Sequence, residues 1–121
     1  HKNLGINTDT MIWLMQNPVL DKTIEFADNR ISLFAAQYGR CAVTGIDLMP
    51  HDIRCHHKVP LENGGTDEYS NLVLVTEAVH ILIHATLGGT IQKYLNELQL
   101  NKKQLEKLNR LRKLAGTSVI A

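Results

Sequence analysis

Apolar side chains recur at three- and four-residue steps between positions 21 and 38. Ile24, Ala27, Ile31, Phe34 and Tyr38 form one stripe, which predicts an amphipathic helix. Asp21 or Thr23 suits its N-terminus, and Gly39 the position just past its end. Asp28, Asn29 and Arg30 fall off the stripe and are expected in solvent. Upstream, residues 11–16 predict a short helix, capped by Thr8 or Asp9 and ended by Pro18. Its run Met11-Ile12-Trp13-Leu14-Met15 is apolar all round and must pack on something. Residues 1–7 carry no period. After position 39 the pattern shortens. Cys41-Ala42-Val43, a turn at Thr44-Gly45 and a return over 46–49 predict a small strand pair, and residues 54–59 another strand, ended by Pro60. Asn63-Gly64-Gly65-Thr66-Asp67 is a loop by its turn chemistry. Leu72-Val73-Leu74-Val75 reads as a buried strand, and Thr76 as the cap of a helix running to about Thr86 and stopping at Gly88-Gly89. Residues 90–98 predict a further helix. Asn101 caps the last one, residues 102–114, whose apolar edge is Leu105, Leu108, Leu111 and Leu114. The expected class is α+β: a small strand–strand–helix core over residues 39–88, flanked by a helical segment over 1–38 and by helices over 89–121.

Composition narrows the classes. A chain of 121 residues is expected to form one domain and can bury a core without staples. Apolar content of 44% and charged content of 21% are those of an ordinary soluble domain. No apolar run reaches the length of a membrane span and no signal-peptide pattern opens the chain, so no membrane partner is expected. The two cysteines, Cys41 and Cys55, do not form a Cys-x-x-Cys pair; reduced thiols in a cytoplasmic protein are expected. The first residue is His1 rather than Met, which fits a piece of a longer protein. Net charge of +1 argues neither for nor against nucleic acid, but its distribution is uneven. The last helix carries Lys102, Lys103, Lys107, Arg110, Arg112 and Lys113 against Glu106 alone. Such a stripe can track a phosphate backbone, or can be the solvated face of a helix docked through its leucines.

The chemistry lies in residues 55–84, which hold four of the six histidines. His80 and His84 are one helical turn apart and face the same way, so one rigid face can offer two imidazoles to a metal. The same spacing also suits a pair of core histidines bonded to backbone groups. The zinc-protease version needs Glu directly after the first His; Ile81 stands there instead. His56 and His57 lie on a strand, and one of them would complete a three-ligand site with an open position, leaving the other free to act on a water. Strict alternation sends the two to opposite faces, so the strand must twist, bulge or end there.

Cys55-His56-His57-Lys58, Gly64-Gly65, Asn71-Leu72 and His80-x3-His84 resemble the HNH, or ββα-metal, nuclease motif. The resemblance covers roughly residues 39–86 and looks most like the all-histidine sites of colicin-type nucleases. It implies that His57 is the general base, that His56, His80 and His84 bind one divalent metal, and that Asn71 braces the loop and orients the base. Many HNH domains add two Cys-x-x-Cys pairs; here Thr44 stands where the partner of Cys41 would be, and no pair falls near Val75 and Ala78, so no structural zinc is expected. Imidazoles suit zinc, nickel, cobalt or manganese better than magnesium. A narrower resemblance rests on Ala27-Asp28-Asn29-Arg30-Ile31-Ser32, on the run from Gln37 to Gly45, on Asn71-Leu72-Val73-Leu74-Val75 and on the tail over 105–116. These look like the C-terminal region of group II intron-encoded reverse transcriptases, where an HNH endonuclease follows the polymerase and maturase parts and nicks DNA to prime reverse transcription.

The implied function is metal-dependent DNA nicking, with DNA as partner and intron RNA held through regions beyond this chain. Lys58, Arg54 and Arg40 are candidate phosphate contacts, as are Lys103, Lys107 and Arg110 on the basic helix. The alternatives are a stand-alone HNH or homing nuclease, a non-cutting nucleic-acid binding module on the same fold, and a structural metal module. The last wants four protein ligands with paired cysteines, which this chain lacks.

Overall fold

A computed structural model describes residues 8–19 and 22–121. Its regular elements are helices α1 (Thr8–Gln16) and α2 (Ile24–Ala36), strands β1 (Ile53–His57) and β2 (Leu72–Thr76), and helices α3 (Glu77–His84), α4 (Gly88–Leu98) and α5 (Lys102–Leu114). The class is α+β: five helices around one two-stranded antiparallel sheet among the described residues.

Thr23 starts α2, its hydroxyl accepting from the Phe26 amide at 2.9 Å; Asp21, the other expected cap, lies outside the described residues. The inward face of α2 is rotated from the expected stripe. Phe26, Arg30, Leu33 and Phe34 are buried, while Ile24 and Tyr38 are 82% and 54% exposed. Tyr38 has left the helix: it and Gly39 both take positive φ (55° and 69°), and the Gly39 amide closes back on the Phe34 carbonyl. Arg30 is therefore not solvated. Its Nη2 donates to the carbonyls of Leu14 and Asn17, at the C-terminal end of α1, where a helix leaves carbonyls without intrahelical partners.

The pair of strands expected around position 44 is a turn instead. The Cys41 amide reaches the Ile46 carbonyl and Gly45 returns to Cys41, but only an isolated bridge, Arg40 to Asp47, forms. The Gln37 carboxamide donates to the Leu74 carbonyl and accepts from the Leu74 amide, both at 3.0 Å, and the Ala42 amide also donates to the Leu74 carbonyl. One side chain occupies the edge that a third strand would use.

β1 and β2 pair with His56 opposite Val73 and His57 opposite Leu72. β2 is buried along its whole length, as its continuous apolar run implies. It runs directly into α3 through the Thr76 cap, and Asp52 accepts from the Glu77 amide. α3 stops at His84, two residues before the expected end. There the guanidinium of Arg112, 2% exposed, donates to the carbonyls of Leu82 and Ala85. Arg112 thus belongs to the interior and caps α3, rather than to the basic stripe of α5. Gly88 and Gly89 open α4. α5 starts as expected, with a reciprocal capping box between Asn101 and Gln104. The core joins Leu14 of α1, Phe34 of α2, β2, the inner side of α3 (Val79, Leu82, Ile83) and Leu108 of α5. That packing fixes α3 against β1, and so fixes the histidines.

Candidate functional site

Alternation along β1 turns His56 toward α3, where it is 1% exposed. His80 and His84, one turn apart on α3, meet it. The ring centroids lie 5.2 Å (56–80), 5.2 Å (56–84) and 5.0 Å (80–84) apart, and a nitrogen from each ring lies within 4.8 Å of the other two. Exposure rises from His56, buried, through His80 to His84, exposed, so the triangle opens to solvent on one side. Burial above all, then the neighbouring His80, His84 and His57 rings and Lys58, lowers the pKa of His56 to about 3. Burial, His84 and Arg54 lower that of His80. Near neutral pH both imidazoles are neutral and keep a lone pair. Nε2 of His56 is buried and has no hydrogen-bond partner. A buried polar atom left unpaired costs about 1–3 kcal/mol, and a cation among the three rings would satisfy it. His56, His80 and His84 can therefore hold a divalent metal ion, with three nitrogen ligands and room for a fourth from outside the chain.

His57 faces the other way. Its ring stacks on Phe26, with centroids 5.5 Å apart and planes inclined by 21°. Its Nε2 lies 2.7 Å from Oδ1 of Asp67, both side chains being mostly covered. Asp67 Oδ2 accepts from the Thr23 hydroxyl at 2.7 Å, while the same Thr23 oxygen accepts from the Phe26 amide. Asn29, expected in solvent, donates to the Asp67 carbonyl. The hydrogen bonds from His57 and Thr23 hold the Asp67 carboxyl below the usual carboxylate range. An ionised carboxylate can only accept, so Nε2 of His57 donates to it.

The hydrogen bonds of Asn71 go to the backbone around His57 rather than to its ring. Its Nδ2 donates to the carbonyls of Val59 and Thr66, its Oδ1 accepts from the Val59 amide, and its carbonyl accepts from the Lys58 amide. It stitches the loop over 60–70 to the end of β1 and so pins the residue next to Asp67. Gly65 is required in that loop: a Cβ there would lie 1.8 Å from the Val59 carbonyl oxygen. Asp67 was legible only as a loop residue. The signal available was a carboxylate ten residues after a strand histidine, in a loop held back onto that strand.

The two faces of β1 meet in one cleft of about 350 Å3, lined by His56, His57, His80 and His84 together with Phe26, Cys55, Lys22 and Glu62. Burial pushes the Cys55 thiol up to about 12, which keeps it protonated and a poor ligand or nucleophile. Cys41 is a buried free thiol.

The basic candidates divide. Lys58, at the end of β1, lines a groove of about 250 Å3 together with Lys107 and Arg110 of α5, over a floor that includes Val43, Val73 and Leu111. Lys103 is exposed on α5 but does not line that groove. Arg54 lies 3.3 Å from Glu77, and Arg40 lies 3.8 Å from Asp47 across the isolated bridge, so a carboxylate already accompanies each.

Comparison with models of known protein families, with curated proteins and with solved structures finds no match.

Proposed function

We propose that this chain is a metal-dependent DNA endonuclease module whose β1–β2–α3 unit is an HNH, ββα-metal core. The observation that carries the reading is the convergence of His56, His80 and His84, with one buried nitrogen left unpaired, beside a fourth histidine in the same cleft that is held by a carboxylate. In this reading the three imidazoles hold one divalent ion, zinc, nickel and manganese being the natural choices. When bound, the ion supplies Lewis-acid stabilisation of the scissile phosphate and the leaving oxygen.

The chain's own residues do the rest. Nδ1 of His57 takes a proton from a water, the resulting hydroxide attacks phosphorus in line, and the bond to the 3′ oxygen breaks. Asp67 and Phe26 fix the ring, and Asn71 braces the loop. Lys58, Lys107 and Arg110 supply a cationic groove for the backbone away from the cut. Lys103 extends the same charge along α5. The stretches over 27–32, 37–45 and 71–75 favour, within this class, the endonuclease module of a group II intron reverse transcriptase.

The test is nicking of supercoiled plasmid with a panel of divalent metals and an EDTA control. The wild type nicks and EDTA stops it; His57→Ala keeps its metal but does not nick, and His84→Ala loses both. A chain that binds DNA equally in all three forms and nicks in none is a binding module, and the enzymatic reading fails.

A further inference from the structure

The contact between His57 and Asp67 reaches beyond packing. Resting on the nuclease reading above, we propose that Asp67 is the positioning residue that sets the tautomer of the base, and that Thr23 sets the polarity of Asp67.

The argument follows the donors. The Thr23 oxygen accepts the Phe26 amide, so its one hydrogen is free to be donated, and it goes to Asp67 Oδ2 at 2.7 Å. The other carboxylate oxygen faces Nε2 of His57 at 2.7 Å. With a carboxylate, both neighbours donate. The imidazole hydrogen is drawn to Nε2, and Nδ1 is left as the basic nitrogen. The Asp67 backbone is fixed independently, its carbonyl by Asn29 and the preceding Thr66 carbonyl by Asn71. The carboxylate therefore has a defined position, and the stacked Phe26 ring blocks one face of the imidazole. A loop tie alone would need only the Asn29 and Asn71 bonds. The charged group directed at the base is extra.

Asp67→Asn tests this without altering shape. The Thr23 hydroxyl still needs an acceptor, so the carboxamide oxygen must face Thr23 and its NH2 must face His57. The ring is then forced to carry its hydrogen on Nδ1, which is the wrong nitrogen for the proposed water. Nicking kinetics, metal content, thermal unfolding and the 15N shifts of the His57 ring are measured together. The expected result is a fall in kcat of about 10²–10⁴-fold, the range a general base supplies. KM, metal content and unfolding temperature stay near wild type, and the ring pattern changes from Nε2–H to Nδ1–H. Asp67→Glu, which keeps an acceptor-only group, is expected to retain the Nε2–H form and recover part of kcat. Wild-type kcat in Asp67→Asn, an unchanged ring pattern, or a loss that tracks a lowered unfolding temperature overturns the proposal. A wild type that fails to nick with every metal of the panel sinks the nuclease reading instead. The ring pattern needs no turnover, so it still decides whether Asp67 sets the tautomer.

Discussion

The two faces of β1 carry consecutive histidines in opposite surroundings. His56 is enclosed by β2 and α3, meets two other imidazoles and has an unpaired buried nitrogen. His57 meets a phenyl ring and a carboxylate that is itself held by a hydroxyl. The first environment disfavours a proton and leaves a lone pair exposed to a cation. The second directs a carboxylate at Nε2 of a ring that lines the cleft. Strand alternation, which looks like an obstacle to a four-histidine site, is in the proposed reading the device that separates a ligand from a base. Because β1 ends at His57, both faces still open into one cleft.

The largest expected effect that would break this comparison is on metal affinity. His56→Ala or His80→Ala removes a ligand, and calorimetric titration with zinc should show a loss greater than the roughly 10–100-fold typical of an outer partner. Asp67→Asn, on the opposite face, should leave affinity within a few-fold of wild type. Equal losses from both faces would mean that the strand does not separate two roles.

Next in size is the stability of the metal-free chain, read by urea unfolding. His56→Leu replaces an unsatisfied buried ring by an apolar side chain and should be neutral or stabilising. His57→Leu strands a mostly covered carboxylate and should cost about 1–3 kcal/mol. Neighbouring residues of the same type would then give opposite signs. A large loss from His56→Leu would mean that the buried ring is already satisfied.

How much of this was legible in the sequence depended on whether the signal was local. The caps at Thr23, Thr76 and Asn101, the buried β2 run and the one-turn spacing of His80 and His84 need only neighbouring residues, and all were readable. The sequence places Arg30 in solvent and Arg112 in the basic stripe, because their partners are carbonyls at the ends of other helices, which no side-chain pattern encodes. The segments expected to pair at 41–43 and 46–49 form a turn with one isolated bridge, and the β2 edge beside them is taken by the Gln37 carboxamide, which the sequence leaves indistinguishable from a surface glutamine. Asp67 lay unnoticed in the loop because its role needs Thr23 and His57 brought together from 44 and 10 residues away.

A smaller effect concerns pH. The pKa of His56 in the folded chain is about 3 against 6.5 for an unperturbed ring, and that of His80 is also lowered. The unfolded chain therefore takes up protons that the folded one refuses. Stability is fully present above pH 6.5 and falls as pH drops toward the folded value, with a limiting slope of about 1.4 kcal/mol per pH unit for each such proton. Unfolding of the metal-free chain between pH 7 and pH 5 should be visibly shallower in His56→Leu. An unchanged slope would place the proton uptake elsewhere.

The smallest effect lies in the cationic groove, and it sharpens the comparison by leaving both histidine faces alone. Lys107 and Arg110 share a groove with Lys58 that carries no carboxylate, whereas Arg40 is paired with Asp47. If the groove follows a DNA backbone, each phosphate contact releases a condensed counterion. Lys107→Ala and Arg110→Ala should then each reduce the slope of log affinity against log salt by about 1. Arg40→Ala should leave that slope unchanged, because its charge is already compensated and exposed. None of the three should alter metal affinity or the His57 ring pattern. Equal slopes for Lys107→Ala, Arg110→Ala and the wild type would remove α5 from the interface and leave the cleft to bind its substrate without it.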